Sequence, residues 1–492
     1  MSIFVPSKYQ QAIFDWATAG RGDALVEAVA GSGKTTTLVE MSKRIKTGDA
    51  LFVAFNVKIV KELQARLGSG FTATTINSLG NRALMKHLGK SFKGMATPNK
   101  YNRLAYTALK DMVEPKQVYP AVVKVESLIG YAMADMSDLS DASLAEIADH
   151  FGYEYPKALG VTDTHNLVRN LMKTGEAMAR QGIVNFDEQV YLPVLWGLRP
   201  VQSAFVMVDE CQDLSKAKLL LVMSARAAGG RMCLVGDRYQ SIYGFAGADA
   251  RSIPNIIEKL NPTIFTLPVS YRCAKAIVMH AQEIVPHIES TENAPEGCVD
   301  TVAETYLLDN VKNGDLILCR LTAPLISLCI RLIAQKIPAR VKGRNVATQL
   351  VNLVREALGA RPWSELNQAL DDYLDSSVAT LLGRQDAEKK LTALNDKVAG
   401  IRACVEGFRS PSFEAFKTSL ESIFTDDSAM VELSTIHSMK GGEADTVYIV
   451  KPEALPLTWK NQQPWEAEQE ENICYVARTR AKTNLLYVKT PN

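Results

Sequence analysis

The chain has 492 residues, which is too long for one hydrophobic core and predicts about two to four compact units. Its 55 basic and 54 acidic residues leave a net charge of +1, so a nucleic-acid surface, if present, must be local. The 47% hydrophobic and 22% charged composition excludes a disordered chain. Without a signal-peptide pattern or an apolar run of membrane-spanning length, we expect a cytoplasmic protein with no membrane segment. The eight cysteines form no Cys-x-x-Cys pair, so we expect them to be reduced and buried.

The first predicted strand runs from residue 23 to 30 and is followed by a glycine loop, Gly31-Ser32-Gly33-Lys34-Thr35, and then by helical spacing. Backbone N–H groups of such a loop face phosphate oxygens, and the helix N-terminus adds positive potential. Lys34 supplies a cation for the outer phosphates, and the Thr35 hydroxyl is a ligand for Mg²⁺. The sequence therefore predicts nucleotide binding by Ala30, Gly31, Ser32, Gly33, Lys34, Thr35 and Thr36.

A second apolar strand, residues 204–208, ends in the carboxylates Asp209 and Glu210. Asp209 is placed to hold Mg²⁺, and Glu210 is placed to orient or deprotonate an attacking water. The alternative, a capping cluster for a helix that begins near Ser215, suits Asp213 better than either of them.

A third apolar run, residues 232–235, leads into a loop that carries Gln240, Tyr243 and Phe245. The Gln240 amide is suited to a terminal phosphate, and the two rings are candidate stacking platforms for bases. The alternative is that both rings belong to the core.

Together these segments resemble the motifs of UvrD/Rep/PcrA-type DNA helicases of superfamily 1, of which the chain looks like a compact variant. Besides the phosphate loop, eight motifs occur in the family's order, at residues 7–10, 51–58, 74–78, 208–213, 235–249, 267–272, 433–443 and 475–481. The resemblance implies an α/β fold with two RecA-like P-loop domains that have parallel sheets, each carrying a mainly helical insertion.

The resemblance also implies domain boundaries. The first RecA-like domain is expected at residues 1–80 and 180–266, with a helical insertion at 81–179. The second is expected at residues 267–346 and 428–492, with a small helical insertion at 347–427.

The resemblance further implies roles at the nucleotide, which lies in the cleft between the two RecA-like domains in this family. Gln10 would contact the adenine edge, Tyr271 would stack on the base, and Glu443 would hold the ribose. Arg272 and Arg480 would stabilise charge at the γ-phosphate.

On the DNA side, Phe55 would join Tyr243 and Phe245 as a stacking platform. The backbone contacts would come from Thr75, Asn77, Thr435 and His437, although His437 also suits a structural role.

The function that follows is an ATP- and Mg²⁺-dependent translocase on single-stranded DNA and a DNA helicase of 3′→5′ polarity. Its partners would be single-stranded DNA and duplex junctions, with a protein loading partner as a further possibility and no membrane. We expect it to be nucleoid-associated in a bacterial or phage-like setting. The alternatives are a translocase that displaces bound proteins with little unwinding, and an ATP-gated nucleic-acid-binding protein. Because the sequence ends at Asn492, we expect no wedge hairpin after residues 475–481, and Trp459 and Trp465 are substitutes for it unless they pack in the core.

Overall fold

Parallel β-sheets organise both halves of the chain in a computed structural model. It describes residues 4–45, 48–68, 70–89, 96–242, 252–381, 387–424 and 430–489. The chain divides into two units, residues 1–28 with 33–267 and residues 29–32 with 268–492.

The sheet of the first unit has the strand order β3-β2-β4-β5-β1-β6, and all of its neighbouring strands are parallel. Its strands are β1 (Ala24–Ala28), β2 (Ala50–Ala54), β3 (Phe71–Thr75), β4 (Ser203–Val208), β5 (Arg226–Gly236) and β6 (Thr263–Leu267). Every residue of β2 is buried, which explains its uninterrupted apolar sequence, because a central parallel strand is covered on both faces.

Helices cover this sheet and also form a separate cluster. They are α1 (Lys8–Ala19), α2 (Lys34–Ser42), α3 (Val57–Gln64), α4 (Ile76–Leu88), α5 (Lys100–Leu109), α6 (Pro115–Asp135), α7 (Asp141–His150), α8 (Gly160–Arg180), α9 (Glu188–Leu195), α10 (Lys216–Ser224) and α11 (Ser252–Leu260). Their N-termini follow local sequence signals, since Ser7, Asn56, Thr75 and Ser215 each accept a backbone N–H of the first turn of the next helix.

The helices α5 to α8 share a hydrophobic core of their own, which includes Val122, Leu144 and Val168. Leu84 of α4 and Tyr191 of α9 belong to the same core. The helices that enter and leave this segment are therefore packed into it as well.

The sheet of the second unit has the strand order β11-β12-β10-β13-β14-β9, again with parallel neighbours. Its strands are β9 (Cys298–Ala303), β10 (Leu316–Cys319), β11 (Ala339–Val341), β12 (Val431–Thr435), β13 (Ala444–Val450) and β14 (Ala481–Lys489), and β7 (Val269–Ser270) pairs separately with β8 (Glu289–Ser290). Its helices are α12 (Lys275–Ala281), α13 (Glu304–Asn310), α14 (Ala323–Ala334), α15 (Arg344–Leu358), α16 (Leu366–Leu381), α17 (Ala387–Gly407), α18 (Phe413–Ile423) and α19 (Pro464–Arg478).

The helices α15 to α18 share one hydrophobic core with this sheet. Leu350, Ile401 and Phe416 lie in one core with Ile317 of β10. A Cβ on Gly407 would lie 2.7 Å from Cγ2 of an isoleucine of α14, so glycine allows α17 to approach α14 closely. Unlike the helical segment of the first unit, this one has no core separate from its sheet among the described residues.

The predicted fold class, an α/β fold with two RecA-like domains built on parallel sheets, is confirmed. The predicted boundaries of the four segments stay predictions. Among the described helices, none has the length and hydropathy of a membrane-spanning segment. All eight cysteines are free, and they are buried except for Cys298, which is exposed, so the expected burial is wrong at that position.

Candidate nucleotide site and nucleic-acid interface

The loop between β1 and α2 has the backbone that a phosphate cradle requires. Gly31 and Gly33 have φ angles of 72° and 77°, which glycine adopts without strain, and α2 begins at Lys34. The hydroxyl oxygen of Ser32 is buried and has no hydrogen-bond partner among the described residues. An unpartnered buried hydroxyl beside the free N–H groups of a helix N-terminus fits an anionic oxygen.

The first turn of α2 and the tip of β4 bring a hydroxyl and a carboxylate together. The Thr35 Oγ1 donates a hydrogen bond to Asp209 Oδ2 at 3.2 Å. Burial, followed by the charge of Glu210, raises the pKa of Asp209 to about 6. One hydroxyl and one carboxylate fit Mg²⁺, which takes few protein ligands and is completed by water and substrate phosphates. Thr35 and Asp209 would hold the ion, which would neutralise charge on the outer phosphates when bound.

The Glu210 carboxylate follows Asp209 at the same strand tip. Its Oε1 lies 3.7 Å from the Lys34 Nζ, and its Oε2 accepts a hydrogen bond of 2.5 Å from the Gln212 amide. The backbone of Glu210 has a φ of 54°, which is unusual for a residue with a side chain. Such conformations cost about 1–3 kcal/mol and concentrate at functional sites.

A chain of amide contacts joins the acidic strand tip to the end of β5. The Gln212 Oε1 accepts the backbone N–H of Asp237 at 3.1 Å, and the Asp237 Oδ2 accepts the Gln240 amide at 2.7 Å. Both Asp237 and Gln240 are buried, and burial raises the pKa of Asp237. The predicted phosphate sensor Gln240 is therefore linked to Glu210 through Gln212 and Asp237, to which the sequence assigned no role. Both residues lie within the motifs at residues 208–213 and 235–249, only two or three positions from Glu210 and Gln240. This closeness in sequence is the feature that could have identified them.

The predicted adenine contact, Gln10, is buried within the first unit. Its Nε2 donates to Thr37 at 2.9 Å, and its Oε1 accepts the Ser7 backbone N–H at 3.0 Å. These contacts fix the amide beside the first turns of α1 and α2, where one N–H remains for a base. Thr36 is half-buried on α2.

In the second unit, two predicted nucleotide contacts pair with each other. The Arg272 Nε lies 2.6 Å from Glu443 Oε2, and the Lys482 Nζ lies 3.1 Å from Glu443 Oε1. Burial opposes ionisation of Glu443, but the charges of Arg272 and Lys482 outweigh it and lower its pKa. The ring of Tyr271, the residue before Arg272, is 53% exposed and accessible for stacking.

The other predicted phosphate contact, Arg480, is packed inside the second unit. It is 1% exposed, and its guanidinium donates to the backbone carbonyls of Val476 and Gly442 at 3.0 and 3.1 Å. These two bonds hold the guanidinium in one orientation. Its removal would take one donor from each of these two carbonyl groups.

The end of β12 carries the predicted backbone contacts Thr435 and His437. The Thr435 Oγ1 donates to the Ser438 hydroxyl at 3.0 Å and accepts the Ser438 N–H at 3.4 Å. Burial, with a further contribution from the Arg320 charge, lowers the pKa of His437 to about 3. His437 is therefore neutral at pH 7 and suited to hydrogen bonding rather than to ion pairing with a phosphate.

At the end of β2, the Phe55 ring is 39% exposed and lines a cavity of about 420 Å³. The predicted backbone contact Asn77 lines the same cavity, whereas Thr75 is mainly the N-cap of α4 and is buried. Phe186, which no sequence argument assigned a role, also lines it and is 61% exposed. Its backbone carbonyl accepts the Asn77 amide at 3.0 Å. The predicted platforms Tyr243 and Phe245 lie outside the described residues.

The two tryptophans proposed as a substitute wedge lie beside one lysine. Trp459 is 8% exposed, and the Lys389 Nζ lies 4.7 Å from its ring centroid and 6.0 Å from that of Trp465. Lys389 also pairs with Glu466 at 2.6 Å. Trp459 therefore packs in the core, as the alternative expectation had it.

The phosphate loop, the adjacent acidic strand tip and the parallel sheets define a P-loop nucleotide-binding protein. The chain belongs to the UvrD/REP helicase family, because the match to the UvrD/REP helicase N-terminal domain covers residues 9–261, more than half of its length. A match to the UvrD-like helicase C-terminal domain covers residues 380–491. The predicted family is thereby confirmed, and it is a family of ATP-hydrolysing DNA helicases.

Individual relatives are similar at low identity. The ATP-dependent DNA helicase PcrA of Bacillus subtilis is 23% identical over 284 residues, which is 54% of this chain and 37% of the relative. PcrA of Staphylococcus epidermidis is 26% identical over 297 residues, 56% of this chain and 39% of the relative. The F-box DNA helicase protein 1 of Schizosaccharomyces pombe is 23% identical over 508 residues, 94% of this chain and 55% of the relative. The chain thus spans about two fifths to just over half of these relatives.

Proposed function

We propose that the chain is an ATP- and Mg²⁺-dependent translocase on single-stranded DNA that also acts as a DNA helicase of 3′→5′ polarity. One observation carries the proposal. The loop at the tip of β1 and the carboxylates at the tip of β4 meet in the contacts Thr35–Asp209 and Lys34–Glu210. Family membership supports DNA as the substrate, since the relatives are DNA helicases by name.

In this proposal, Lys34 and the loop N–H groups bind the outer phosphates and Glu210 orients the attacking water. The Lys34 Nζ lies 3.7 Å from the Glu210 carboxylate, and this separation supports a common site of action at one phosphate group. Gln240 contacts the terminal phosphate, so that the presence or loss of this phosphate affects the loop that follows β5. Arg272 and Arg480 of the second RecA-like domain add positive charge where the transferring phosphoryl group is negative.

Movement along a strand would use the aromatic surface at the end of β2. Phe55 and Phe186 expose their rings to a cavity that Asn77 also lines. Stacking of a base on such a ring is worth about 1–3 kcal/mol and tolerates any sequence. Losing one DNA stacking step costs about 1.4 kcal/mol, so a platform of this kind offsets much of that loss.

A second candidate function is a translocase that displaces bound proteins and unwinds duplexes poorly. The burial of Trp459 favours it, because a ring packed in the core cannot hold open a fork. An ATP-gated binding protein is the third candidate, and DNA stimulation of hydrolysis distinguishes it from both translocases.

The first experiment measures ATP hydrolysis with and without single-stranded DNA. We expect stimulation in the wild type and a loss of at least about 10²-fold in Lys34→Ala, since one phosphate-stabilising group is removed. Lys43→Ala is the matched control, because Lys43 follows the same helix and pairs with Glu40 on the surface. Normal turnover in Lys34→Ala would remove the phosphate loop from the mechanism.

The second experiment uses forked duplexes that carry either a 3′ or a 5′ tail, and a streptavidin block on a single strand. Unwinding only with the 3′ tail supports the 3′→5′ helicase. Displacement of the block without unwinding supports the second candidate, and neither activity, with hydrolysis that single-stranded DNA does not stimulate, supports the third.

A further inference from the structure

The cavity beside Phe55 is lined by a lysine, Lys218, to which the family resemblance assigns no role. Lys218 lies in the first turn of α10, where its backbone N–H donates to the Ser215 hydroxyl at 3.3 Å. Its side chain lines the cavity together with Phe55, Asn77 and Phe186. The residue is therefore built into the same surface as the predicted stacking and backbone contacts.

The ammonium group of Lys218 is held against an aromatic ring. Its Nζ lies 4.8 Å from the Phe55 ring centroid, within the range of a cation–π contact. Throughout the described parts of the chain, no hydrogen bond or ion pair is formed by this ammonium group. Lys216, two residues earlier on the same helix, instead pairs with Asp135 at 3.4 Å.

The surroundings of Lys218 disfavour an isolated positive charge. Burial lowers its pKa, and the charges of Asp213 and Asp187 only partly oppose this effect. Removing a charge from water without a hydrogen-bonded partner costs free energy, which an incoming anion offsets. In a cavity that already presents a ring for a base, the matching anion is the phosphodiester group of the same strand.

We propose that Lys218 binds a backbone phosphate of the single strand whose base stacks on Phe55. The proposal rests on the proposed function, because it takes single-stranded nucleic acid as the occupant of the cavity. Phosphate contacts position a strand without reading its sequence, so Lys218 fixes the backbone while Phe55 takes any base. Lys218 and Phe55 would then bind the phosphate and the base of one nucleotide.

The test is the salt dependence of binding of labelled oligo-dT to the full chain, measured by fluorescence anisotropy. Loss of one phosphate contact reduces the slope of log K against log salt concentration by about 0.7 for a single strand. We expect this reduction in Lys218→Gln, together with weaker binding of all sequences. Lys218→Arg should keep the wild-type slope, which shows that charge matters rather than packing.

Lys216→Gln is the matched control, because it removes the same charge from the same helix outside the lining of the cavity. An unchanged slope in Lys218→Gln, or an equal reduction in Lys216→Gln, overturns the proposal.

The variant Phe55→Ala separates failure of this proposal from failure of the proposed function. Weaker binding in Phe55→Ala with a normal slope in Lys218→Gln means that the cavity binds DNA without the lysine. Wild-type binding in both Phe55→Ala and Lys218→Gln means that DNA binds elsewhere on the chain. The proposed function itself is rejected only if single-stranded DNA does not stimulate ATP hydrolysis by the wild type.

Discussion

Arg272 Nε lies 2.6 Å from Glu443 Oε2, so two residues predicted to contact different parts of ATP neutralise each other in the second unit. Lys482 contacts the other oxygen of the same carboxylate at 3.1 Å. Lys482 would therefore remain as a cationic partner of Glu443 if Arg272 turned to a phosphate, as its proposed role requires.

Substitution of Arg272 should affect the chemical step, and substitution of Glu443 should affect binding. We expect Arg272→Ala to lower kcat by at least about 10²-fold, because charge stabilisation in the transition state is lost. Glu443→Gln should mainly raise the KM for ATP, since it leaves Arg272 in place. Steady-state hydrolysis at saturating single-stranded DNA gives both constants. A change confined to KM in Arg272→Ala would contradict its role at the transferring phosphoryl group.

Glu210→Gln should separate ATP binding from hydrolysis. The amide keeps the size of the side chain and its contact with Gln212, but it cannot accept a proton from water. We expect kcat to fall by about 10²–10⁴-fold, the usual contribution of a general base, with nearly normal binding of a fluorescent ATP analogue. Glu40→Gln on the surface of α2 is the control. Equal losses of binding and turnover would assign Glu210 to the nucleotide rather than to the water.

The parts of the site that sequence predicts are those in which function depends on a local stretch of chain. The glycine loop before Lys34 and the apolar strand before Asp209 specify their own backbone, so their placement at the tips of β1 and β4 follows. The Arg272–Glu443 pair joins residues far apart in the chain, and no local pattern predicts it. For the same reason, Lys218 beside Phe55 could be found only in three dimensions.

A fully buried ion pair, Lys100–Glu188, ties α5 to α9 at 2.7 Å, with neither side chain exposed. The Lys100 ammonium also donates to the carbonyls of Gly175 and Ile183, and Tyr101 donates to Glu188. We expect Glu188→Ala to lower the free energy of unfolding by about 3–5 kcal/mol, because it leaves a buried charge unpaired. Urea unfolding followed by circular dichroism measures the loss.

The surface pair Lys216–Asp135 provides the comparison for Lys100–Glu188. Asp135→Ala should change the free energy of unfolding by no more than about 1 kcal/mol, as exposed pairs do. The double variant Lys100→Met with Glu188→Leu should regain only part of the loss, because it removes both buried charges but leaves the Gly175 and Ile183 carbonyls and the Tyr101 hydroxyl without these partners. If Glu188→Ala lowers the free energy of unfolding no more than Asp135→Ala does, the Lys100–Glu188 pair does not stabilise the helical segment.

The acid sensitivity of the chain should depend in part on His437. Its folded-state pKa of about 3 lies below the ordinary value of 6.5, so between these values the unfolded chain binds a proton that the folded chain does not. Stability is therefore lost as pH falls below 6.5, by up to about 1.4 kcal/mol per pH unit, and His437→Asn should lose correspondingly less. Urea unfolding of both proteins at pH 7 and pH 5 gives the comparison. Because the imidazole is neutral at pH 7, His437→Asn should also leave the salt dependence of oligo-dT binding unchanged. Equal acid losses in the two proteins would mean that His437 titrates as it does in solvent, so that neither burial nor the Arg320 charge lowers its pKa.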